Sequence, residues 1–182
     1  MTKKRGSGRQ LKANSSEWRK RVAEIGSMRE SGKYSSVEMG KNGGYLAIEK
    51  GKAKHKPEEI EAGKILADKG YKVILKDETG TAITPEGEIF SYLFEQSTPD
   101  KAEGAKGFKR CLEHAKDKNL KLRKEGKEER IEIPVIYDKY SKFSKKDVEE
   151  GIKLFEDHSR MRFKEIIVIS AGKRIHVHHH NN

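Results

Sequence analysis

The sequence predicts an α+β fold in which a single mixed or antiparallel sheet of about five strands is flanked by helices and preceded by an N-terminal helical extension. Two observations support this prediction. Amphipathic helical segments alternate with short β-prone runs along the 182 residues, and only 33% of the residues are apolar whereas 38% are charged. The core must therefore be small and the surface highly solvated. No apolar run is long enough to cross a bilayer, so we expect no membrane span.

Positive charge is concentrated in the N-terminal third of the chain. Residues 1–56 hold 15 Lys and Arg against 5 Asp and Glu, whereas residues 57–182 hold 25 against 24. A basic arm of this kind binds phosphate, in nucleic acid or at a membrane surface, or serves solubility alone. We expect a basic flexible arm, a part with one helix and a short hairpin, and an α/β domain, at residues 1–15, 16–50 and 51–182.

The first predicted elements are a helix and a hairpin. Ser15 or Ser16 suits the N-cap of a helix whose apolar residues recur at helical spacing, namely Trp18, Val22, Ile25 and Met28. Two β-prone pieces then flank the sequence KNGG at residues 41–44. Because Asn-Gly tolerates positive φ, this sequence predicts a hairpin turn.

The middle of the chain predicts a second helix followed by strands. Pro57 suits the first position of a helix and Gly70 the position just past its end, which gives a helix over residues 57–69 and a strand over 71–76. After the segment TAIT and the turn PEGE, the sequence IFSYLFEQS predicts one strand over residues 89–97. In that strand one face carries Phe90, Tyr92 and Phe94, and the opposite face carries Glu95.

The last part predicts two further helices between strands. Apolar residues at helical spacing give a helix over residues 102–118, and the charge run at residues 116–130 predicts a solvated connection. Pro134 places the strand IEIPVIYD at an edge or a bulge. Ser144 and Asp147 predict the capped start of a helix, and KEIIVIS and RIHVHHH form a closing hairpin.

His55 lies just before a helix N-terminus, where backbone N–H groups can hold an anionic phosphate. Glu58 or Glu59 is close enough in sequence to orient the imidazole. These residues are candidates for acid/base chemistry, although they also suit an ordinary helix start.

Glu95 is the second candidate, because a carboxylate in an apolar strand is costly to bury unless it is paired. Pro85-Glu86 and Glu95-x-Ser97 imitate the acidic pattern of metal-dependent restriction endonucleases, but the lysine of that pattern is missing. A metal nuclease of that type is therefore the weaker interpretation. His114, at the border of the apolar helix face, is either structural or a proton donor.

Cationic side chains follow the last predicted strands. Lys139 comes directly after one strand, and a row of Arg174, His176, His178 and His180 shares one face of the final strand. Such a row suits phosphate or metal binding, or is simply a polar terminus. The single cysteine, Cys111, excludes an intramolecular disulfide, and the chain has no P-loop, GxGxxG, nucleophile elbow or HExxH motif.

The stretches HKPEEIEAGKILADKGYKVILKDE, YLFEQST, IPVIYDKY and FKEIIVISAGKRI, within residues 50–178, resemble the nuclease toxin domains of bacterial polymorphic toxins. That group includes contact-dependent inhibition toxins and toxin-like tails of phage head-morphogenesis proteins. The resemblance implies a compact ribonuclease of the barnase, colicin and RelE type, without cofactor or metal and often directed at tRNA. It matches His55 to the histidine that opens the first helix and Glu95 to the acidic residue of the second strand. The family's lysine after that glutamate is absent.

The resemblance implies that residues 51–182 form a nuclease-like domain acting in the cytoplasm, delivered as part of a larger protein and inhibited by an acidic immunity protein. We expect a metal-independent endoribonuclease whose partner is RNA in preference to DNA. His55, assisted by Glu58, or Glu95 would be the base, His114 or a C-terminal histidine the acid, and Lys139 or Arg174 the phosphate ligand, with His176 and His178 binding substrate. The alternative is a non-enzymatic nucleic-acid-binding or structural, phage-associated module.

Overall fold

The computed structural model describes residues 10–52, 54–78 and 84–179. The chain forms two compact units, one ending at Tyr92 and the other beginning at Leu93. The predicted α+β fold with a mixed sheet flanked by helices is confirmed, with eight strands instead of about five. No helix in the described ranges is long and apolar enough to cross a membrane. The predicted division at residues 15 and 50 stays a prediction.

The first unit has a hairpin, two helices and two further strands in its described part. These elements are α1 (Ser16–Glu30), β1 (Tyr34–Met39), β2 (Tyr45–Glu49), α2 (Pro57–Asp68), β3 (Lys72–Leu75) and β4 (Gly87–Ile89). β1 and β2 are antiparallel, which confirms the predicted hairpin, β2 and β3 are parallel, and β3 and β4 are antiparallel. Ile25 of α1 packs with residues of β1 and β2.

Both helices of the first unit begin where the sequence predicts. Ser15 Oγ accepts a hydrogen bond from the Trp18 backbone N–H at 3.2 Å, and Pro57 is the first residue of α2. Gly70, just beyond α2, has a φ of 92°, a conformation that glycine adopts at little cost. The predicted buried face of α1 is wrong at Val22, which is exposed, because the face that packs on the hairpin centres on Ile25.

The second unit alternates strands and helices and then ends in a hairpin. Its elements are β5 (Tyr92–Ser97, whose first residue closes the first unit), α3 (Gly104–Lys124), β6 (Ile133–Asp138), α4 (Lys145–Ser159), β7 (Glu165–Ser170) and β8 (Ile175–His179). β5, β6 and β7 are parallel neighbours, and β8 is antiparallel to β7. The core of this unit lies between the sheet and the α3–α4 pair, around Phe108, Leu112 and Phe155.

The predicted single strand over residues 89–97 is wrong. Phe90 and Ser91 have φ angles of 47° and 71°, and two consecutive positive φ values turn the chain between β4 and β5. The turn carries neither Asn nor Gly, so the local sequence gave no sign of it. Phe90 and Tyr92 are exposed while Phe94 is buried, so these three rings do not share a face.

Two predictions about the second unit also need correction. α3 continues to Lys124 instead of ending near residue 118, because Asn119 and Leu122 extend its buried face into the charge run. Asn119 exchanges two hydrogen bonds with the Ile131 backbone, at 3.2 and 2.7 Å, which offsets the cost of burying its amide.

The predicted edge position of the strand that contains Pro134 is wrong, because β6 lies between β5 and β7 in the sheet. The pairing of β6 with β7 begins one residue after Pro134, at Val135. A missing N–H is tolerated at the start of a ladder.

The predicted start of α4 is confirmed. Ser144 Oγ accepts from the Asp147 N–H at 3.1 Å, and Asp147 accepts from the Ser144 N–H at 2.8 Å. The predicted arm and the segment TAIT lie in part outside the described residues, at 1–9 and 81–83, and His180 lies outside them as well.

Candidate active site

Glu95 is held in the middle of β5, opposite Pro134 of the parallel strand β6. α3 connects these two strands and buries Phe108, Leu112 and Ala115 in the core. One helical turn separates His114 from Lys118, so their side chains leave α3 on the same face.

Three side chains meet at this point in the second unit. Lys118 Nζ lies 2.9 Å from Oε1 and 2.8 Å from Oε2 of Glu95, so the ammonium group binds both carboxylate oxygens. His114 Nε2 lies 3.9 Å from Glu95 Oε1. The structure therefore brings together two predicted residues, Glu95 and His114, and adds a lysine that sequence reasoning missed.

Exposure changes steadily across these three side chains. The side chain of Glu95 is 7% exposed, that of Lys118 18% and that of His114 66%. A charged pair at this depth is weakly screened by solvent, and the imidazole beside it is open to a large substrate. The arrangement offers a carboxylate that can accept a proton, an ammonium that can stabilise a negative phosphate, and an imidazole that can transfer a proton.

The cation that contacts Glu95 comes from α3, and not from the residues that follow Glu95 in β5. Lys118 lies 23 residues further along the chain, inside the charge run that the sequence predicted to be a solvated connection. No local motif joins the two positions. The helical spacing of His114 and Lys118 was the available signal, and it gains meaning only once α3 is known to continue past residue 118.

His55 lies in a second cluster of ionisable groups, in the first unit. Its Nδ1 is 3.3 Å from Glu59 Oε2 and 3.3 Å from Glu86 Oε1, and its side chain is 4% exposed. Glu59 also accepts a hydrogen bond from the Lys56 backbone N–H at 2.9 Å, which completes the start of α2. Of the two glutamates that the sequence offers as partners of His55, Glu59 makes the contact; Glu58, on the same turn, is half-buried.

The same cluster has the donor atoms of a metal site. One ligand atom each from His55, Glu78 and Glu86 lies within 4.8 Å of the other two. An imidazole with two carboxylates suits a first-row divalent cation such as Zn²⁺ or Mn²⁺. Among the described residues, this is the set that could hold a metal ion.

The remaining predicted site residues are not beside Glu95. Lys139 lies five residues further along the chain than Pro134, the residue opposite Glu95. β8, which follows Arg174 and contains His176 and His178, is three strand spacings from β5, or about 14 Å.

The C-terminal histidines alternate between the two faces of β8, as the sequence predicts. His176 and His178 are opposite Val168 and Ile166, which face the core, whereas His179 Nδ1 lies 3.5 Å from Glu165 Oε1. Burial is the main cause that lowers the pKa of His178, and the neighbouring His176 lowers it further. Burial also raises the pKa of Glu165, which His179 and Lys164 partly counter.

Cys111 lies on α3 with its thiol half-buried and donating to the Gly107 carbonyl oxygen at 3.4 Å. The pKa of this thiol is raised to about 11, mainly by burial and also by the negative charge of Asp138, while a hydrogen bond with Ser97 partly counters the rise. Asp138 itself accepts from the backbone N–H groups of Lys142 and Phe143, at 2.7 and 3.2 Å. The thiol is thus kept in its unreactive form, and Asp138 orders the loop before α4.

No protein-family model matches the chain. No curated protein matches it either. A chain of the CdiA-CT/CdiI toxin and immunity complex from Burkholderia pseudomallei is similar in structure, with a TM-score of 0.47 and 19% identity, over 72% of this chain and 98% of that one.

Proposed function

We propose that the chain is a metal-independent endoribonuclease whose active site is formed by Glu95, His114 and Lys118. The observation that carries this proposal is the buried carboxylate of Glu95, bound by an ammonium at 2.8 Å and lying 3.9 Å from an exposed imidazole. These are the three functions that phosphodiester cleavage needs: a base, an acid and a stabilising cation.

The proposed reaction uses the ribose 2′-OH as the nucleophile. Glu95 removes the 2′-OH proton, the 2′ oxygen forms a bond to phosphorus, and the bond from phosphorus to the 5′ oxygen breaks. Protonated His114 donates its proton to the leaving 5′ oxygen, and Lys118 stabilises the negative oxygens of the pentacoordinate phosphate. The products are a 2′,3′-cyclic phosphate and a 5′-OH. Each proton transfer contributes roughly 10²–10⁴-fold to the rate.

The sequence offered His55 as a candidate for the catalytic base, and its position in the structure makes it less suitable than Glu95. Its imidazole is 4% exposed, with Nδ1 directed between two carboxylates, so a polymer reaches His114 far more easily. We propose that Glu95, and not His55, is the base. We propose that Lys139, Arg174, His176 and His178 contact the RNA on either side of the phosphodiester that is cleaved, and not that phosphodiester itself.

A divalent-cation nuclease is the second candidate. The ligand atoms of His55, Glu78 and Glu86, within 4.8 Å of one another, favour it. With a cation bound there, these side chains would hold an ion that polarises a phosphoryl oxygen. Such an enzyme needs no 2′-OH, so DNA would serve as well as RNA.

A toxin role is part of the same proposal. A ribonuclease that acts on cellular RNA needs an inhibitor in the cell that makes it, and a net charge of +11 would attract an acidic immunity protein. The non-enzymatic, structural or phage-associated module remains the alternative if no cleavage occurs.

The test incubates the purified chain with total tRNA and with a DNA strand, each with and without EDTA. We expect EDTA-resistant cleavage of tRNA, no cleavage of DNA, and a loss of at least a hundredfold in both Glu95→Gln and His114→Ala. His158→Ala is the matched control, because His158 is an exposed histidine of α4, and it should cleave as the unmodified chain does. Cleavage that EDTA abolishes, or that extends to DNA, would favour the cation-dependent candidate. Intact tRNA in every lane would contradict both enzymatic candidates.

A further inference from the structure

We infer that a basic groove in the second unit binds the sugar–phosphate backbone of single-stranded RNA, at a place separate from Glu95. The groove is a cavity of about 570 Å³ between the C-terminal half of α3 and the segment that follows α4. Five cationic residues line it, Lys116, Arg123, Arg130, Arg160 and Arg162, and no Asp or Glu is among its described lining residues. The choice of RNA rests on the proposed function, whereas the choice of a polyanion does not.

The excess of cations over acidic residues is larger in the groove than in the second unit as a whole. Residues 93–182 hold 21 Lys and Arg against 16 Asp and Glu, so most cations in this unit have a carboxylate available. Ion pairs of α4, such as Lys145–Glu149, show the usual pattern. A cavity with five cations and no acidic lining departs from that pattern, and such a cavity focuses a positive potential.

The cations of the groove are only weakly neutralised. Within the described part of the chain, Lys116, Arg123 and Arg160 make no ion pair. The other two have distant partners: Arg130 Nε lies 3.7 Å from Glu132, and Arg162 Nε lies 3.8 Å from Glu156. Placing five cations together has a repulsive cost, which a phosphate backbone would relieve.

One arginine of the groove is held in place by a hydrogen bond to the backbone, and another ends α4. Arg130 Nη2 donates to the Arg162 carbonyl oxygen at 3.0 Å, which joins the segment before β6 to the segment after α4. Arg160 caps α4 with a φ of 52°, a left-handed conformation that is rare for a residue with a side chain. Holding the Arg130 guanidinium in place before binding reduces the entropy lost when a phosphate binds.

The groove and the candidate active site lie on different faces of α3. Lys116, Leu120 and Arg123 are four and three residues apart and share one face, whereas His114 and Lys118 share another, about 120–180° around the helix. Leu120 is exposed in the groove and Met161 lines it, so a ribose or base has an apolar surface to contact. A strand in the groove would add affinity without touching the groups that cleave it.

The test measures binding of a labelled single-stranded RNA by fluorescence anisotropy over a range of salt concentrations. Glu95→Gln is the background, so that the strand stays intact. Lys116→Ala/Arg123→Ala should weaken binding about tenfold and reduce the slope of log affinity against log salt by about 1.4, or about 0.7 for each lost phosphate contact. Lys121→Ala/Lys124→Ala is the matched control, since it removes two exposed cations of the same helix that do not line the groove.

An equal loss in both double variants, or no loss in either, would overturn the inference. Polyglutamate of matched charge is added as a competitor, and competition as strong as that of unlabelled RNA would overturn the nucleic-acid assignment. Circular dichroism establishes that both variants are folded. Because binding is measured without cleavage, failure of the proposed enzymatic activity would leave this result unchanged.

Discussion

The contact between Glu95 and Lys118 has consequences for stability as well as for chemistry. A carboxylate that is 7% exposed has little water to solvate it, so its charge depends on groups such as the ammonium 2.8 Å away. Removing the cation while keeping the anion is expected to lower the free energy of unfolding more than removing both charges does. The two residues are therefore coupled in the folded state.

We expect Lys118→Met to lower the free energy of unfolding by about 1–3 kcal/mol, because it leaves a buried carboxylate less well compensated. Adding Glu95→Gln to that variant should recover part of the loss. Urea denaturation of the unmodified chain, both single variants and the double variant gives the coupling energy. Strictly additive changes would show that the contact contributes nothing to stability.

Lys118→Arg separates stability from catalysis. A guanidinium keeps the positive charge, so stability should stay closer to that of the unmodified chain than in Lys118→Met, while its different donor geometry disturbs the position of phosphate. Activity that falls equally in both variants, with stability lost only in Lys118→Met, would support a role for the ammonium at the phosphate.

At the scale of elements, α3 and α4 pack closely because one of them carries a glycine at the contact. A Cβ on Gly151 would lie 2.8 Å from the Ala105 carbonyl oxygen and 2.8 Å from Phe108 Cβ. Neither atom is the end of a flexible side chain, so relief requires the helices to move apart. The core of the second unit depends on this approach.

Gly151→Ala should therefore destabilise the chain by about 1–3 kcal/mol through overpacking. Gly26→Ala is the matched control, because Gly26 is also within a helix and its Cβ would meet no atom within 4 Å. Alanine is the better helix former, so that change should stabilise by about 0.5–1 kcal/mol. Thermal unfolding of both variants measures the difference, and a similar effect of the two changes would contradict the packing explanation.

The sequence predicted those elements whose signals are local. Pro57 and Gly70 bounded α2, and Ser144 with Asp147 began α4, because caps and turns depend on a few adjacent residues. The turn at Phe90 and Ser91 was missed because it depends on packing and lacks the usual turn residues.

The candidate site was only partly predictable for the same reason. Glu95 and His114 were named from their positions in a strand and on a helix face, and the structure places them 3.9 Å apart. Lys118 was not named, since its contact with Glu95 depends on how α3 crosses β5 and β6. The end of α3 depends in turn on Asn119, whose amide bonds to Ile131 after the helix. Tertiary contacts of this kind leave no local pattern in the sequence.

At the scale of the whole molecule, positive charge has two separate sources. Residues 1–56 hold a net excess of ten cations, and the second unit has its own cluster in the basic groove. All contacts of Glu95, His114 and Lys118 described above lie within residues 93–182. Affinity for RNA and cleavage of RNA should therefore respond differently to removal of the N-terminal charges.

Deleting residues 1–9 removes four Lys and Arg and no acidic residue. It keeps Leu11, whose backbone N–H donates to the Asn42 carbonyl oxygen at 2.8 Å, so the first unit retains that contact. We expect weaker RNA binding with a smaller salt slope, by up to about 0.7 for each of the four charges, and an unchanged rate of cleavage at saturating RNA. Anisotropy measures the first quantity and single-turnover cleavage of tRNA the second.

If deletion abolished binding and no form of the chain cleaved RNA, the basic arm itself would be the functional part and the α+β units its scaffold, as in a non-enzymatic binding module. If cleavage at saturation fell with the deletion, the arm would be needed for the chemistry, and the three residues around Glu95 would be insufficient to explain it.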